Sequence, residues 1–213
     1  MIAAGVVLAG GRSTRMGRAK ADLDWGSTSL LAHVVGRVAE GVAGPLVVVR
    51  APGQALPALP VGVRVVEDPS EGLGPLQGIA AGLAAVDAPV AFVTATDMPL
   101  LHPAYIRRVI ALLGDADVAM PVVLGHRQTL AAAYRTTLAP VAAALVAELR
   151  LNPGVLLERC RVNWLDEAQL LADPELAAAD PHLQSVTSVD TPQEYAAAIN
   201  TVGAPVSERA PRP

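Results

Sequence analysis

Hydrophobic positions in this chain follow two alternating spacings. Short, almost unbroken apolar runs occur at Gly5–Ala9, Leu46–Val49, Val63–Val66 and Val90–Ala95. Runs of this kind, rich in β-branched residues and bounded by Gly or Pro, predict strands buried on both faces. Between them apolar residues recur every three or four positions. Leu30, Leu31, Val34, Val35 and Val38 predict a helix over Thr28–Glu40, with Thr28 or Ser27 as its cap, and Leu76–Val86 predicts a second, opened by Pro75. Ala51–Pro60, with three prolines and a glycine, reads as loop. Later segments predict helices at Pro103–Leu113, Leu138–Leu149 and Pro192–Ile199, and strands at Val118–Val122, Thr129–Tyr134 and Val162–Leu165. Strands alternating with helices imply an α/β protein: a mostly parallel mixed sheet between two helical layers. In such sheets ligands bind beyond the carboxyl ends of the strands.

The length of 213 residues suits one domain, expected over 1–202, with a disordered tail at 203–213 that is rich in Pro and mixed charge. An apolar fraction of 52% supports a sizeable core, whereas 3% aromatic content leaves few stacking surfaces for single-stranded nucleic acid. A net charge of −4 argues against broad binding to nucleic acid or acidic membranes. No run reaches the roughly 18 apolar residues that span a bilayer, and no secretory leader is expected. The single cysteine, Cys160, suits a reducing cytoplasm and reads as a packed residue. Four scattered histidines lack zinc-ligand spacing. His33 shares a face with apolar residues, and His126 is a candidate for an acceptor pocket.

Positive charge is concentrated in one place. Leu8-Ala9-Gly10-Gly11-Arg12-Ser13-Thr14-Arg15-Met16-Gly17-Arg18-Ala19-Lys20 follows the first strand and combines glycines, hydroxyls and cations. Glycines allow close backbone approach, amides and hydroxyls donate hydrogen bonds, and Arg and Lys neutralise phosphate. A plain glycine-rich surface turn is the alternative. It is not a P-loop, because Lys20 lies three positions after Gly17, nor a G-x-G-x-x-G fingerprint, because Gly10 and Gly11 are adjacent. Asp97, in Thr94-Ala95-Thr96-Asp97-Met98-Pro99, leaves the fourth strand on the same rim. A carboxylate there is suited to Mg2+, which takes one or two carboxylates plus phosphate oxygens, or to capping a turn. Asp190, in Ser188-Val189-Asp190-Thr191-Pro192, is placed either to cap the helix beginning at Pro192 or to add a second metal contact. Glu71-Gly72-Leu73-Gly74-Pro75-Leu76-Gln77-Gly78 opens another helix whose first amides face a ligand or solvent. Asp68, ahead of Pro69, reads on its own as a turn residue.

These motifs resemble those of nucleotidyltransferases with the Rossmann-like nucleotide-diphospho-sugar transferase fold, and in particular the molybdenum-cofactor guanylyltransferase branch. That branch carries L-A-G-G-x-S-x-R-M-G-x-D-K, in register with Leu8 to Lys20 except that Ala19 replaces Asp. The resemblance extends to Asp-Met-Pro at Asp97 and to G-x-G-P-L-x-G at Gly72 to Gly78. It implies that Leu8, Ala9, Gly10, Gly11, Lys20, Asp68, Gly74, Gly78 and Asp97 bind nucleotide, with Asp68 reading guanine. It implies catalytic roles for Arg15, Lys20 and Asp97, with Lys20 at the α-phosphate and Arg15 on departing pyrophosphate. Mg2+ is the implied cofactor, held by Asp97 and, as in related nucleotidyltransferases, by Asp190. Besides Ala19, there are two further departures. Ser188 and Asp190 replace the branch's two Asn residues, and Arg50-Ala51-Pro52 lacks the Asn expected after the second strand. The implied substrates are GTP and a phosphorylated acceptor, molybdopterin, with a molybdoenzyme or its chaperone as partner. A relative using another base or acceptor (cytidylyl transfer, a phospho-lactate-type acid, a sugar 1-phosphate) and a non-catalytic nucleotide-binding partner are the alternatives. The pattern is thin between residues 145 and 185.

Overall fold

The computed structural model describes residues 2–10, 19–69 and 72–201. Gly11, Arg15 and the expected tail lie outside them. Strand β1 (Ala3–Leu8) is buried throughout. After a 3-10 turn at Lys20–Asp22, a two-strand ribbon forms from β2 (Asp24–Trp25) and β3 (Thr28–Ser29). Helix α1 (Leu30–Gly41) buries the five apolar positions its spacing picks out, but its cap is Ser29, whose hydroxyl accepts from Ala32 N–H at 3.2 Å. Thr28 pairs with Trp25 in the ribbon instead.

Strands β4 (Leu46–Arg50) and β5 (Arg64–Glu67) precede helix α2 (Pro75–Ala85), strand β6 (Val90–Ala95) and helix α3 (Pro103–Ala111). Strand β7 (Val118–Val123) turns back through Leu124 and Gly125, both at positive φ (50° and 75°), as a two-residue hairpin requires. The return is β8 (His126–Arg127) and β9 (Ala131–Arg135), followed by α4 (Ala139–Ala147). The thin stretch folds into α5 (Gly154–Leu157), β10 (Val162–Leu165), α6 (Glu167–Leu171) and α7 (Pro174–Ala179). Asp166 and Asp173 start the last two by accepting from Gln169 and Leu176 N–H at 2.7 and 2.9 Å. Helix α8 (Pro192–Thr201) follows.

The main sheet runs β10-β7-β9-β6-β1-β4-β5, with β8 on β7. β9 is antiparallel to both β6 and β7, and the remaining pairings along this order are parallel. All strands of the main sheet except β8 and β9 therefore end on one rim. One face carries the larger core, built on α1 and α3; the other is covered by α2, α4 and α5. Among the described residues no helix is long and apolar enough to cross a membrane. Cys160 is half-buried; its thiol donates to Leu156 C=O at 3.3 Å, and burial pushes its pKa up to about 11, away from reactive thiolate.

α3 is capped by an imidazole. His102 Nδ1 accepts from Ala104 N–H at 3.2 Å, and the His102 backbone N–H donates to Ser185 Oγ at 3.0 Å. Burial, and after it the nearby Arg37 guanidinium, lowers the His102 pKa. Burial also lowers that of His33, whose Nε2 contacts Pro99 C=O at 2.8 Å. A base with a depressed folded pKa is protonated first in the unfolded chain. Its contribution is therefore complete above about pH 6.5 and is lost as pH falls below that value. Thermal melts are expected to show a falling Tm between pH 7 and pH 5. The fall should be smaller in His102→Asn, which can cap without titrating.

Candidate active site

The exits of β1 and β6 are tied together. Thr96 donates to Leu8 C=O from both its N–H and its hydroxyl, each at 3.1 Å. Ala9 N–H donates to Val49 C=O at 2.8 Å, and Gln54 Nε2 donates to Ala9 C=O at 3.0 Å. The Gln54 amide oxygen accepts from Ala51 N–H at 3.0 Å. Leu8 and Ala9 thus form a braced floor where β1 ends. Gly10 lies so close to the next loop that a Cβ there would come within 3.1 Å of Ala51 N, which explains the need for glycine. Gln54 belongs to this support, although nothing in its Pro-rich sequence context marks it.

Above that floor three distant segments meet at one atom. Lys20 Nζ lies 2.6 Å from Asp190 Oδ1 and 3.1 Å from Asp97 Oδ2. Burial is the largest single influence on Lys20 and pushes its pKa down, but hydrogen bonding and charge from Asp190 and Asp97 together outweigh it. The net shift is upward, so the amine stays charged. Ala19, which replaces the branch's Asp, is extended (φ −61°, ψ 129°) and leads directly into the Lys20 turn. Asp97 and Asp190 hold Lys20 in this position without a carboxylate at position 19.

Asp97 sits on the turn after β6, and its backbone C=O accepts from Val189 N–H at 2.8 Å, which docks the Asp190 segment. Asp190 does not cap α8. Thr191 Oγ1 accepts from Glu194 N–H at 3.2 Å, while Glu194 Oε2 accepts from Thr191 N–H at 2.9 Å and from Asp190 N–H at 2.8 Å. This reciprocal capping box is legible in the sequence as Thr191-x-x-Glu194. It leaves the Asp190 carboxylate to face Lys20.

The remaining expected residues divide. Gly74, at φ +80°, turns the chain into α2 ahead of Pro75, and the helix opens with no side-chain cap. Asp68 is half-buried beside it; its N–H donates to Arg50 C=O at 2.8 Å, and its carboxylate accepts from Gln77 Nε2. Gln77, buried in the first turn of α2, escaped notice because the contact is tertiary. Gly78 is buried against the sheet, where a Cβ would come within 3.2 Å of both Leu8 methyl carbons. Its missing side chain serves helix–strand packing.

Two carboxylates sharing one cation form a hard-oxygen donor pair. That fits Mg2+, which binds through one or two carboxylates and fills its shell with substrate phosphates and water. Among the described residues no three His, Cys, Asp or Glu side chains form a self-sufficient metal cage. The same rim therefore offers the braced Leu8–Gly10 strand exit, an ammonium, a hard carboxylate pair and open helix amides. Such a set has the chemistry to neutralise and position phosphate groups.

The profile described as the MobA-like NTP transferase domain matches residues 5–161. A Mycobacterium tuberculosis H37Rv protein named "probable molybdenum cofactor guanylyltransferase" is 49% identical over 143 residues, covering 64% of this chain and 69% of that protein. Among solved structures, molybdopterin-guanine dinucleotide biosynthesis protein A from Archaeoglobus fulgidus superposes with a TM-score of 0.72 at 19% identity, over 94% of this chain and 98% of the other. The 2-C-methyl-D-erythritol 4-phosphate cytidylyltransferase from Thermus thermophilus gives 0.68 at 18% identity, over 94% and 98%. The expected nucleotidyltransferase fold is thereby shown.

Proposed function

This chain belongs to the MobA-like NTP transferase domain family, and on that premise we propose that it transfers GMP from GTP to a phosphate-bearing acceptor, molybdopterin, and releases pyrophosphate. The observation that carries the reading is the Lys20 ammonium held by Asp97 and Asp190 at 3.1 and 2.6 Å on the rim where β1 ends. The triphosphate lies over the Gly10 turn, with Lys20 at the α-phosphate. The terminal phosphate oxygen of the acceptor attacks the α-phosphorus in line. A new P–O bond forms to the acceptor as the bond to the β-phosphate breaks, and its electron pair leaves on pyrophosphate. A phosphate monoester is already ionised near neutral pH, so no general base and no covalent enzyme intermediate are needed. The protein's task is positioning and charge neutralisation.

Asp97 and Asp190 would hold Mg2+, which offsets the crowded negative charge of the phosphates. Arg15 belongs to the same reading, on the departing pyrophosphate. Asp68 is assigned to guanine, whose N1–H and N2–H2 offer two donors to one carboxylate. In place of the branch's Asn after β4, the Gln54 amide stands at the neighbouring Ala9 and Ala51 backbone. A reducing cytoplasm suits the lone Cys160, and a molybdoenzyme or its chaperone would receive the product.

The test is pyrophosphate release with molybdopterin and Mg2+, offering GTP, CTP, ATP and UTP in turn. Release with GTP alone is expected. Release with CTP would identify a cytidylyltransferase, and nucleotide binding without release would identify a non-catalytic partner.

A further inference from the structure

We propose that Arg127 and Trp164 form a stacking platform for the planar heterocycle of the acceptor. The proposal rests on the transfer reading above and deepens it, because it says where the acceptor lies. In-line displacement places the incoming oxygen opposite the departing pyrophosphate. The glycine turn that receives the phosphates follows β1, so the acceptor approaches across the other side of Asp97. There the rim continues outward from β6 through β9, β7 and β10.

Arg127 and Trp164 stand on that outer stretch, on one face of the sheet. Arg127 pairs with Val122 and Trp164 with Met120 across β7. Met120 lies in the core on the face covered by α2, α4 and α5, and residues paired across adjacent strands share a face, so both side chains lie on that face. The Arg127 guanidinium lies over the indole ring, 5.0 Å from its centroid. Trp164 is nonetheless 44% exposed, unusual for so large an apolar ring. Among the described residues the Arg127 side chain makes no hydrogen bond or ion pair, so an oriented planar cation keeps its donors available.

The platform connects to the nucleotide side. A Cβ on Gly74, at the mouth of α2, would lie 3.7 Å from Leu151 O, and one on Gly154 would lie 3.9 Å from Arg127 Nη1. Segment 151–154 thus runs from the first turn of α2 to the platform. A flat, polar, phosphorylated heterocycle of the pterin class meets this surface with its ring on the guanidinium and indole and its phosphate directed inward to Lys20.

The experiment measures steady-state turnover and direct binding. Trp164→Ala and Arg127→Ala are each expected to raise KM for molybdopterin by about tenfold, with KM for GTP and kcat unchanged. Binding is read from tryptophan emission. The chain has two tryptophans, and Trp25 is only 6% exposed. Pterin-6-carboxylate should quench the emission of the native protein and leave that of Trp164→Phe almost unaltered. A KM for molybdopterin within twofold of the native value in both alanine variants, or equal quenching in Trp164→Phe, overturns the platform. Absence of pyrophosphate release by the native protein overturns the transfer reading instead, and the quenching comparison still decides the platform.

Discussion

Asp97→Asn is expected to cut pyrophosphate release by roughly 10²–10³-fold, the scale set by removal of a preorganised electrostatic contact to a reacting phosphate. Melting should stay near the native Tm. The substitution keeps the shape of the side chain, which is 26% exposed, and the support at this position is main-chain: the C=O of residue 97 accepts from Val189 N–H at 2.8 Å whatever the side chain. Asn also remains able to accept from Lys20. What disappears is one negative charge at the point where a divalent cation and a triphosphate would meet. Release assays at saturating nucleotide and acceptor, run beside thermal melts, separate the two effects. Turnover within a few-fold of native would exclude Asp97 from the reaction, and unfolding would make the residue structural.

Lys20→Met is expected to be comparably severe, roughly 10²–10³-fold in turnover, through loss of the cation that the proposed function assigns to the α-phosphate. It carries a second expectation of opposite sign. In the native protein the ammonium, with its side chain only 16% exposed, holds both carboxylates at hydrogen-bonding distance. Met leaves two acids facing one another. Mn2+, added without nucleotide and followed by its relaxation effect on water, should therefore bind Lys20→Met more tightly than native protein, because no ammonium competes for the same oxygens. Equal Mn2+ affinity in the two proteins would show that the carboxylates do not form a common cation site.

How far the site could be read in advance depended on the range of the contacts. The glycine turn and Asp97 were legible because each sits at the end of an apolar strand, and parallel strands deliver such ends to one rim. The pairing of β1 with β6 makes that delivery literal. Asp190 was ambiguous because Asp ahead of Pro is also a helix start. The deciding signal lay four residues on, where Glu194 completes the box with Thr191. Gly78 shows the converse hazard. A glycine within a ligand-like motif is also what close helix–strand packing demands, and sequence does not distinguish the two. Gln54 and Gln77 gave no signal, since each acts on backbone or side chain that only the tertiary fold brings near. Helices α5 to α7, four to six residues long, are too short to display a helical period, although Asp166 and Asp173 mark two of their starts.

The bond between Lys20 and Asp190 spans 170 positions. A polypeptide emerging from the ribosome can assemble β1, β6 and most of the sheet well before residue 190 exists. Until the segment leading into α8 docks, Lys20 lacks its Asp190 partner. Competence to handle a nucleotide would thereby wait until the Asp190 segment has been made, and a chain interrupted after α7 would have its architecture but an unfinished candidate site.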